Sequence, residues 1–391
     1  MDARILTTEG LQALLDILHS RGYRVLGPVV RDGAIGFGPV RAVAELPAGW
    51  GDEQDAGHYR LHRRDDALLF GYAASVQSAK PLFFPAQEVL WRVRHEDDGM
   101  HPVAAEPAEE DGPVAVLGVR SCDLAAIGIQ DVVLAGRQYA DAAYALRRAD
   151  TFVVAVTCSH PGGTCFCAST GTGPRPGAGP GPAAAYDLAM TEVLDELGHR
   201  FVVEVASERG DAVLADLDPI AGAAVAGPDD LAAADGVAAR AAEHMGRRLD
   251  TDGLKDLLYA SAESPVWDDV ATRCLACTNC TQVCPTCFCT DVRDVTDLTG
   301  GLVERERVWD SCFNAEYSYI HGGSVRASTR ARYRQWLTHK LGSWEDQFGM
   351  SGCVGCGRCI TWCPAAIDLT AEVAALRHDQ GGHDGGRRDA P

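Results

Sequence analysis

Apolar residues in the first 160 positions recur at two spacings, one typical of helices and one typical of strands. The apolar residues of 8–20 share one helical face, and we expect that helix to end before Gly22. A second helix is predicted over 123–136. Four apolar stretches predict strands, namely YRVLGPVV (23–30), AIGFGPVRAVAEL (34–46), VAVLGV (114–119) and TFVVAV (151–156). The last two are unbroken, which favours a parallel sheet buried on both faces, with the second helix as the crossover.

After residue 160 the pattern contains fewer strands. The glycine- and proline-rich stretch 170–184 predicts a flexible surface loop. Residues 186–197 predict a helix, residues 200–207 predict a strand, and alanine-rich stretches predict helices to about residue 260. We therefore expect an α/β or α+β region with a mostly parallel sheet, followed by short helical pieces. The predicted divisions are 1–260, 261–375 and a disordered polar tail at 376–391.

Cysteine is unusually frequent, with 15 among 391 residues. The amino-terminal segment has acidic residues where a signal peptide needs basic ones, and no apolar run approaches membrane-spanning length. We therefore expect a cytoplasmic protein without a transmembrane segment. Its thiols would be reduced, and clustered cysteines in that setting bind metal or perform redox chemistry. The net charge of −20 argues against a nucleic-acid partner.

Two cysteine runs share the spacing C-x2-C-x2-C-x3-C-P. They comprise Cys274, Cys277, Cys280 and Cys284, and then Cys353, Cys356, Cys359 and Cys363. This is the spacing of bacterial ferredoxins, which hold [4Fe–4S] clusters, and it predicts two clusters in a helical ferredoxin-like domain over 261–375. The alternative is zinc, which C-x2-C pairs also bind, but two runs of four cysteines ending in proline favour iron and sulfide. We prefer an exchange in which each fourth cysteine binds the other run's cluster.

Four more cysteines predict a candidate third [4Fe–4S] site. Cys122 and Cys158 each follow a predicted parallel strand, and ligands of open α/β sheets collect at the carboxyl ends of such strands. Cys165 and Cys167 follow in CSHPGGTCFC, where two glycines allow a tight turn. The alternative is that Cys122 and Cys158 are small buried hydrophobic residues and that the other two form a structural or redox pair.

Three cysteines remain without an assigned role, namely Cys287, Cys289 and Cys312. They could bind a cluster with one other ligand such as His321, exchange ligands with the first run, or pack around it. These alternatives stay open from the sequence.

An arginine-rich stretch stands out in the acidic chain. Residues 317–344 contain no acidic residue, and 325–341 has helical spacing with an apolar side. The stretch could form a docking face for a partner. We favour the other interpretation, in which its cations, Lys340 among them, offset the negative charge of thiolate-bound clusters and its apolar side packs in the core.

The sequence contains no motif for another cofactor or for substrate chemistry. It has no G-x-G-x-x-G after a strand, no Walker A motif and no G-x-S-x-G elbow. We therefore predict no flavin or NAD(P) site and no catalytic residue in this chain.

The motifs together resemble a known family. GVRSCDLAAI, CSHPGGTCFCASTGTGP, CPTCFCTDV, WDSCF, HGG-x-x-R and CVGCGRCITWCP follow one another in this order. As a set they resemble the beta subunit of cytoplasmic nickel–iron sulfhydrogenases and the related A subunit of anaerobic sulfite reductase. The resemblance covers roughly residues 5–375, and it makes the third group of cysteines more credible as ligands.

The resemblance implies an electron-transfer subunit of an oxidoreductase complex. Such a subunit would relay electrons between a flavin- and NAD(P)-binding reductase subunit and a nickel–iron hydrogenase subunit. The close alternative is a sirohaem sulfite reductase partner. An alternative of another class is a zinc-stabilised scaffold without redox function.

Overall fold

The computed structural model describes residues 3–103, 112–136, 138–177, 186–217 and 223–387. Its strands are β1 (Arg4–Leu6), β2 (Arg24–Arg31), β3 (Ala34–Pro39), β4 (Trp50–Asp55), β5 (His58–Arg63), β6 (Gln87–Glu96), β7 (Gly99–Val103), β8 (Val114–Arg120), β9 (Phe152–Val156), β10 (Leu188–Asp195), β11 (Gly198–Val205), β12 (Ala223–Val225), β13 (Thr290–Thr296), β14 (Leu302–Trp309), β15 (Tyr319–Ile320) and β16 (Gly323–Ser324).

The α-helices are α1 (Thr8–Ser20), α2 (Lys80–Phe83), α3 (Ser121–Gln130), α4 (Ala142–Asp150), α5 (Glu208–Leu217), α6 (Pro228–Glu243), α7 (Leu254–Ala260), α8 (Val266–Arg273), α9 (Asn279–Gln282), α10 (Thr329–Thr338), α11 (Trp344–Phe348), α12 (Arg358–Thr361) and α13 (Leu369–Arg387). A 3₁₀ turn covers Val43–Glu45. Wider π turns follow α3 at Asp131–Ala135 and α10 at His339–Ser343. No helix in the described part of the chain has the length and apolar character needed to cross a membrane.

The main sheet is mixed, with the order β12-β1-β11-β10-β9-β8-β2-β3. Its centre is parallel, because β9 pairs in parallel with β8 and β10, and β8 pairs in parallel with β2. Antiparallel strands extend it on both flanks. Every residue of β9 is buried, since helices and loops cover both faces of this central strand. The predicted β8–helix–β9 crossover is confirmed, and it brings the carboxyl ends of two cysteine-bearing strands side by side.

Two local predictions are wrong. Residues 186–197 contain β10, which forms a tight hairpin with β11, and do not form a helix. The six residues Leu188–Val193 are all buried, and burial of this run between two strands outweighs its helical spacing. The predicted strand 34–46 ends at Pro39, and a 3₁₀ turn follows.

A second sheet, in the order β13-β14-β6-β7, joins the two predicted domains. Strand β6 lies before residue 260 and pairs antiparallel with β14, which lies after it. The carboxyl-terminal region therefore carries a strand hairpin as well as the short helices.

The end of the chain is more ordered than we expected. Helix α13 runs through Leu369–Arg387 and so includes most of the predicted tail. Leu376 is completely buried, and the Arg377 guanidinium donates a hydrogen bond to the carbonyl of Asp250 at 3.0 Å. These contacts outweigh the low helix propensity of the glycines that follow. Residues 388–391, and residues 178–185 of the predicted glycine–proline loop, lie outside the described residues.

Two cores hold the elements that carry the cysteines. In the first, α1 and α5 pack on the main sheet through residues such as Leu14, Leu214 and Val154. In the second, α8, α10, α12 and α13 surround the completely buried Trp267. The apolar side of α10, with Tyr333, Trp336 and Leu337, belongs to this second core. That placement supports the interpretation in which the arginine-rich helix packs inward.

Candidate iron–sulfur centres

The thiols of the two runs form two groups, and each group combines cysteines from both runs. The first group comprises Cys274, Cys277 and Cys280 of the first run with Cys363 of the second. These four line one pocket, which also reaches Cys359. Burial, and then the neighbouring Cys274, Cys363 and Cys277 thiols, raise the pKa of Cys280. The sulfurs therefore face one another around a common centre.

The second group comprises Cys353, Cys356 and Cys359 of the second run with Cys284 of the first. These four line a second pocket, together with Lys340 and Thr286. Burial, and then the thiols of Cys353, Cys356 and Cys284, raise the pKa of Cys359. The grouping is the one expected if the fourth cysteines are exchanged between clusters, as in two-cluster ferredoxins.

The same backbone turn shapes both runs. The third and fifth residues of each run have a left-handed backbone, with φ of 49° at Ala276 and 67° at Thr278, and 61° at Gly355 and 74° at Gly357. Non-glycine residues in that conformation are strained and collect at ligand clamps. Each turn then leads into a four-residue helix, α9 or α12, whose second residue is the third cysteine of the run. The spacing thus folds three thiols around one side of each group.

The cysteines proposed for a third group are Cys122, Cys158, Cys165 and Cys167, and the first two lie at the carboxyl ends of β8 and β9. Cys122 lies in the first turn of α3, and Cys158 follows β9 by two residues. Burial, and then the Cys158 thiol, raise the pKa of Cys165 to about 12. The Cys165 and Cys158 thiols likewise add to the effect of burial on the pKa of Cys167, and Cys167 adds to that of Cys122. Cys158, Cys165 and Cys167 are thus neighbours, and Cys122 packs with Cys167 in one buried cluster.

The three groups are adjacent to one another in a row. Cys165 Sγ lies 3.8 Å from the carbonyl oxygen of Cys356, so the third group adjoins the second. The Phe166 amide donates a hydrogen bond to the Gly355 carbonyl at 2.8 Å across the same contact. Cys359 lines the spaces of both the first and the second group. The second group, which we call the middle site, therefore contacts both of the others.

The three unassigned cysteines do not form a group of their own. Cys287 lies beside Cys284, and the hydrogen bond between them, together with the Lys340 ammonium, lowers the pKa of Cys284. Cys289 pairs with Cys312, and that hydrogen bond lowers the pKa of Cys289 to about 6. His321, the non-cysteine ligand considered from the sequence, is exposed on the turn between β15 and β16. Cys287 thus pairs with Cys284 of the second group, and Cys289 and Cys312 pair with each other.

The spacing of the sulfurs tests zinc against a larger cluster. A tetrahedral zinc ion with Zn–S bonds of about 2.3 Å holds its sulfurs about 3.8 Å apart. Within the described ranges no three cysteine sulfurs lie within 4.8 Å of one another, and the group found at that spacing is the exposed Glu96, Asp98 and His101. In no group do three of the described sulfurs stand at the spacing that one zinc ion imposes, and the two runs keep the ferredoxin spacing.

Buried donors around the first group also fit a sulfur-rich occupant. Tyr333 and Trp336 line its space and are 2% and 5% exposed. The Tyr333 hydroxyl and the Trp336 Nε1–H have no hydrogen-bond partner among the described residues. Because such buried donors are costly, an acceptor such as a cluster sulfur in this space would satisfy them.

Buried cations lie near the thiols, among them Lys340, Lys80 and Arg358, and of these three sequence reasoning identified only Lys340. Lys340 Nζ lies 3.1 Å from Cys284 Sγ. Lys80 Nζ lies 3.4 Å from the centre of the Trp309 ring and 3.3 Å from the Cys287 carbonyl oxygen. Arg358 pairs with Asp123 at 2.6 Å and ties the middle site to α3. The chain has three lysines in all, and nothing in the sequence around Lys80 distinguishes it from the exposed Lys255.

The comparisons with known proteins agree with this geometry. Residues 273–367 match the family model described as a 4Fe-4S dicluster domain. The chain is 30% identical over 316 residues to sulfhydrogenase 2 subunit beta of Pyrococcus furiosus, which covers 80% of this chain and 86% of the relative. The chain belongs to the sulfhydrogenase beta-subunit family. As a member of that family, it is an iron–sulfur electron-transfer subunit, and the resemblance found in its sequence is confirmed.

The match to the beta-subunit family extends well beyond the two runs. The dicluster model covers both four-cysteine runs together with Cys287, Cys289 and Cys312. The alignment with the sulfhydrogenase subunit is more than three times longer than that segment, so it includes much of the α/β region. The likeness therefore concerns the whole architecture and is not limited to a ferredoxin-like module.

Proposed function

We propose that this chain relays electrons through three [4Fe–4S] clusters between a flavin- and NAD(P)-binding reductase subunit and a nickel–iron hydrogenase subunit. The observation that carries the proposal is the row of three adjacent thiol groups, with the middle site in contact with both others. Such clusters, when bound, accept and release one electron at a time. The protein's part is to hold them close together and to shield them from water.

The proposed ligands follow from the grouping of the thiols. Cys274, Cys277, Cys280 and Cys363 would hold the first cluster, and Cys284, Cys353, Cys356 and Cys359 the middle one. Cys122, Cys158, Cys165 and Cys167 would hold the third. Burial is greatest at the middle and third groups, where Cys284, Cys353, Cys356, Cys122, Cys165 and Cys167 are buried, and nearby charges have a large influence in such a medium of low dielectric constant. Because all three sites need reduced thiols, we place the protein in the cytoplasm.

The first group reaches the surface and is where we place electron exchange with one partner. Cys277 is exposed, and the adjacent Leu275 is 67% exposed although it is apolar. An exposed apolar side chain beside a surface cluster suits a protein contact. The third group lies at the other end of the row, where the second partner would exchange electrons.

The hydrogenase partner is supported by the relative, whose name is that of a sulfhydrogenase subunit. A tagged full-length chain purified anaerobically from its own organism tests the choice. We expect nickel-containing and flavin-containing proteins to co-purify with it. Co-purification of a sirohaem protein without nickel would contradict the hydrogenase assignment and support the sulfite reductase alternative.

The electron-transfer role has a separate test. The purified chain should be brown, and dithionite should bleach its visible absorption, because thiolate-bound iron–sulfur clusters absorb visible light and lose that absorption on reduction. A colourless protein with stoichiometric zinc would contradict electron transfer and support the scaffold alternative, which the sulfur spacing already disfavours.

A further inference from the structure

Lys340 is a buried cation whose partners are neutral groups and a thiol. Its side chain is within hydrogen-bonding distance of Cys284 Sγ at 3.1 Å, Thr286 Oγ1 at 2.9 Å and the Gly352 carbonyl oxygen at 3.4 Å. These three contacts use all three protons of the ammonium. Lys340 is 5% exposed, so water contributes little to its solvation.

No carboxylate balances this charge among the described residues. Among the described residues, Arg358 forms an ion pair with Asp123. Neither Lys340 nor Lys80 has a carboxylate partner in this part of the chain. A buried cation without a counter-charge is strongly unfavourable unless an anion lies close by. The cysteine sulfurs of the middle site are the groups placed to supply that negative charge once they bind metal.

The local backbone presents Lys340 to the site. Helix α10 ends at Thr338, and the chain then widens into the π turn His339–Ser343, which contains Lys340. Such π turns are rare and are frequent at functional sites. The preceding helix is fixed in the core by Trp336 and Leu337, so the position of the ammonium is set by rigid packing.

The other buried cations act differently. Arg358 is neutralised by Asp123. Arg120, near the third group, donates to the carbonyls of Phe70 and Tyr72 at 2.9 Å, and among the described residues it has no hydrogen bond to a sulfur. Lys80 donates to a carbonyl beside Trp309. Lys340 therefore combines an uncompensated charge with a direct contact to a cysteine of the middle site.

We propose that Lys340 raises the reduction potential of the cluster held by Cys284, Cys353, Cys356 and Cys359, so that an electron rests at the middle site between the two outer ones. The inference rests on the proposed function. Reduction adds one negative charge to the cluster, and a fixed positive charge and an N–H···S hydrogen bond stabilise the reduced form more than the oxidised one. Hydrogen bonds to the sulfurs are among the factors that set cluster potentials.

The test is a redox titration of the full-length protein followed by EPR, comparing the wild type with Lys340→Met. Methionine keeps much of the side-chain volume and removes the charge. We expect the reduced-to-oxidised ratio of the middle cluster at a fixed solution potential to fall about tenfold, which is 59 mV for a one-electron couple. The outer clusters should shift much less. An unchanged midpoint potential with full iron content would overturn the proposal.

Two further variants keep the test decisive. Lys255→Met removes the exposed lysine that pairs with Asp346 and should leave all the potentials unchanged. If Lys340→Met loses iron, Thr286→Val removes one hydrogen bond of the ammonium together with the 3.1 Å contact of the same hydroxyl with Cys284 Sγ, keeps the charge of Lys340, and should give a smaller change in the potential of the middle cluster. No change in that variant would then overturn the proposal. Absence of iron from the wild type would instead contradict the proposed function, so the two failures are distinguishable.

Discussion

Single glycines decide how closely the third group approaches the middle site. Gly355 has a φ of 61°, and a Cβ added there would lie 2.6 Å from the amide nitrogen of Cys167. A Cβ added at Gly357 would lie 2.5 Å from the carbonyl oxygen of Thr164. Each added Cβ would clash with a residue more than 180 positions away in the chain. This clash adds to the strain that the left-handed backbone would impose on any residue other than glycine. A side chain at either position would push the two sites apart.

Gly355→Ala should therefore destabilise the protein, by about 2–4 kcal/mol from left-handed strain and overpacking together. Thermal or denaturant unfolding of the anaerobic holoprotein measures the loss. The matched control is Gly22→Ala, where φ is 86° but no atom lies within 4 Å of the added Cβ. We expect only about 1–2 kcal/mol there. An equal loss in the two variants would contradict the close contact between the sites.

Residue-level chemistry was predictable where it depends on short spacing. The two runs and their two clusters follow from local sequence, because three cysteines within one turn must curl around a common centre. For Lys340, the sequence predicted only that its charge would offset that of the clusters. It did not predict the contact with Cys284. Lys80 gave no local signal, because its partners lie about 200 residues away in the chain.

At the level of elements, the row of sites depends on how the two runs cross. Helix α9 of the first run packs beside α12 of the second, and each run sends its fourth cysteine to the other group. Asn279 of α9 donates a hydrogen bond to the Trp362 carbonyl and helps to hold this crossing. Each of the two groups of thiols therefore needs cysteines from both runs.

The crossing predicts which variants share a phenotype. Cys284→Ser and Cys353→Ser should perturb the same EPR signal, because both remove a ligand of the middle site. Cys274→Ser and Cys363→Ser should perturb a different one. Each single change should lose or convert one cluster and leave the others intact. If Cys284→Ser instead matches Cys274→Ser, each run keeps its own cluster and the exchange is wrong.

The elements themselves were predictable to different extents. Helix α1 has the bounds expected from its leucines, since one amphipathic face and a following glycine determine both ends. Strand β10 was misread because its apolar residues also fit a helical period, and only the partner strand decides between the two. The second sheet was missed because β13 is largely exposed and polar, and its pairing with β14 and then β6 is set by contacts distant in sequence.

At the scale of the whole molecule, two cores and a shared sheet hold the three sites in fixed positions. The α/β region supplies the third group, the helical region supplies most of the other two, and the β6–β14 pairing joins them. Arg358 and Asp123 add an almost completely buried ion pair across the contact between the third group and the middle site. Such rigid support suits electron transfer, which needs fixed distances between carriers and little movement of the protein.

The iron content per chain tests the central claim most directly. Three sites of four irons predict about twelve irons in the anaerobically purified full-length protein, and about eight in Cys158→Ser, because that change removes a ligand of the third site. Thr170→Ser, which keeps the hydroxyl that donates to the Cys167 carbonyl, is a control that should keep the wild-type value. About eight irons in the wild type, with no loss in Cys158→Ser, would contradict the third site and the three-cluster relay that depends on it.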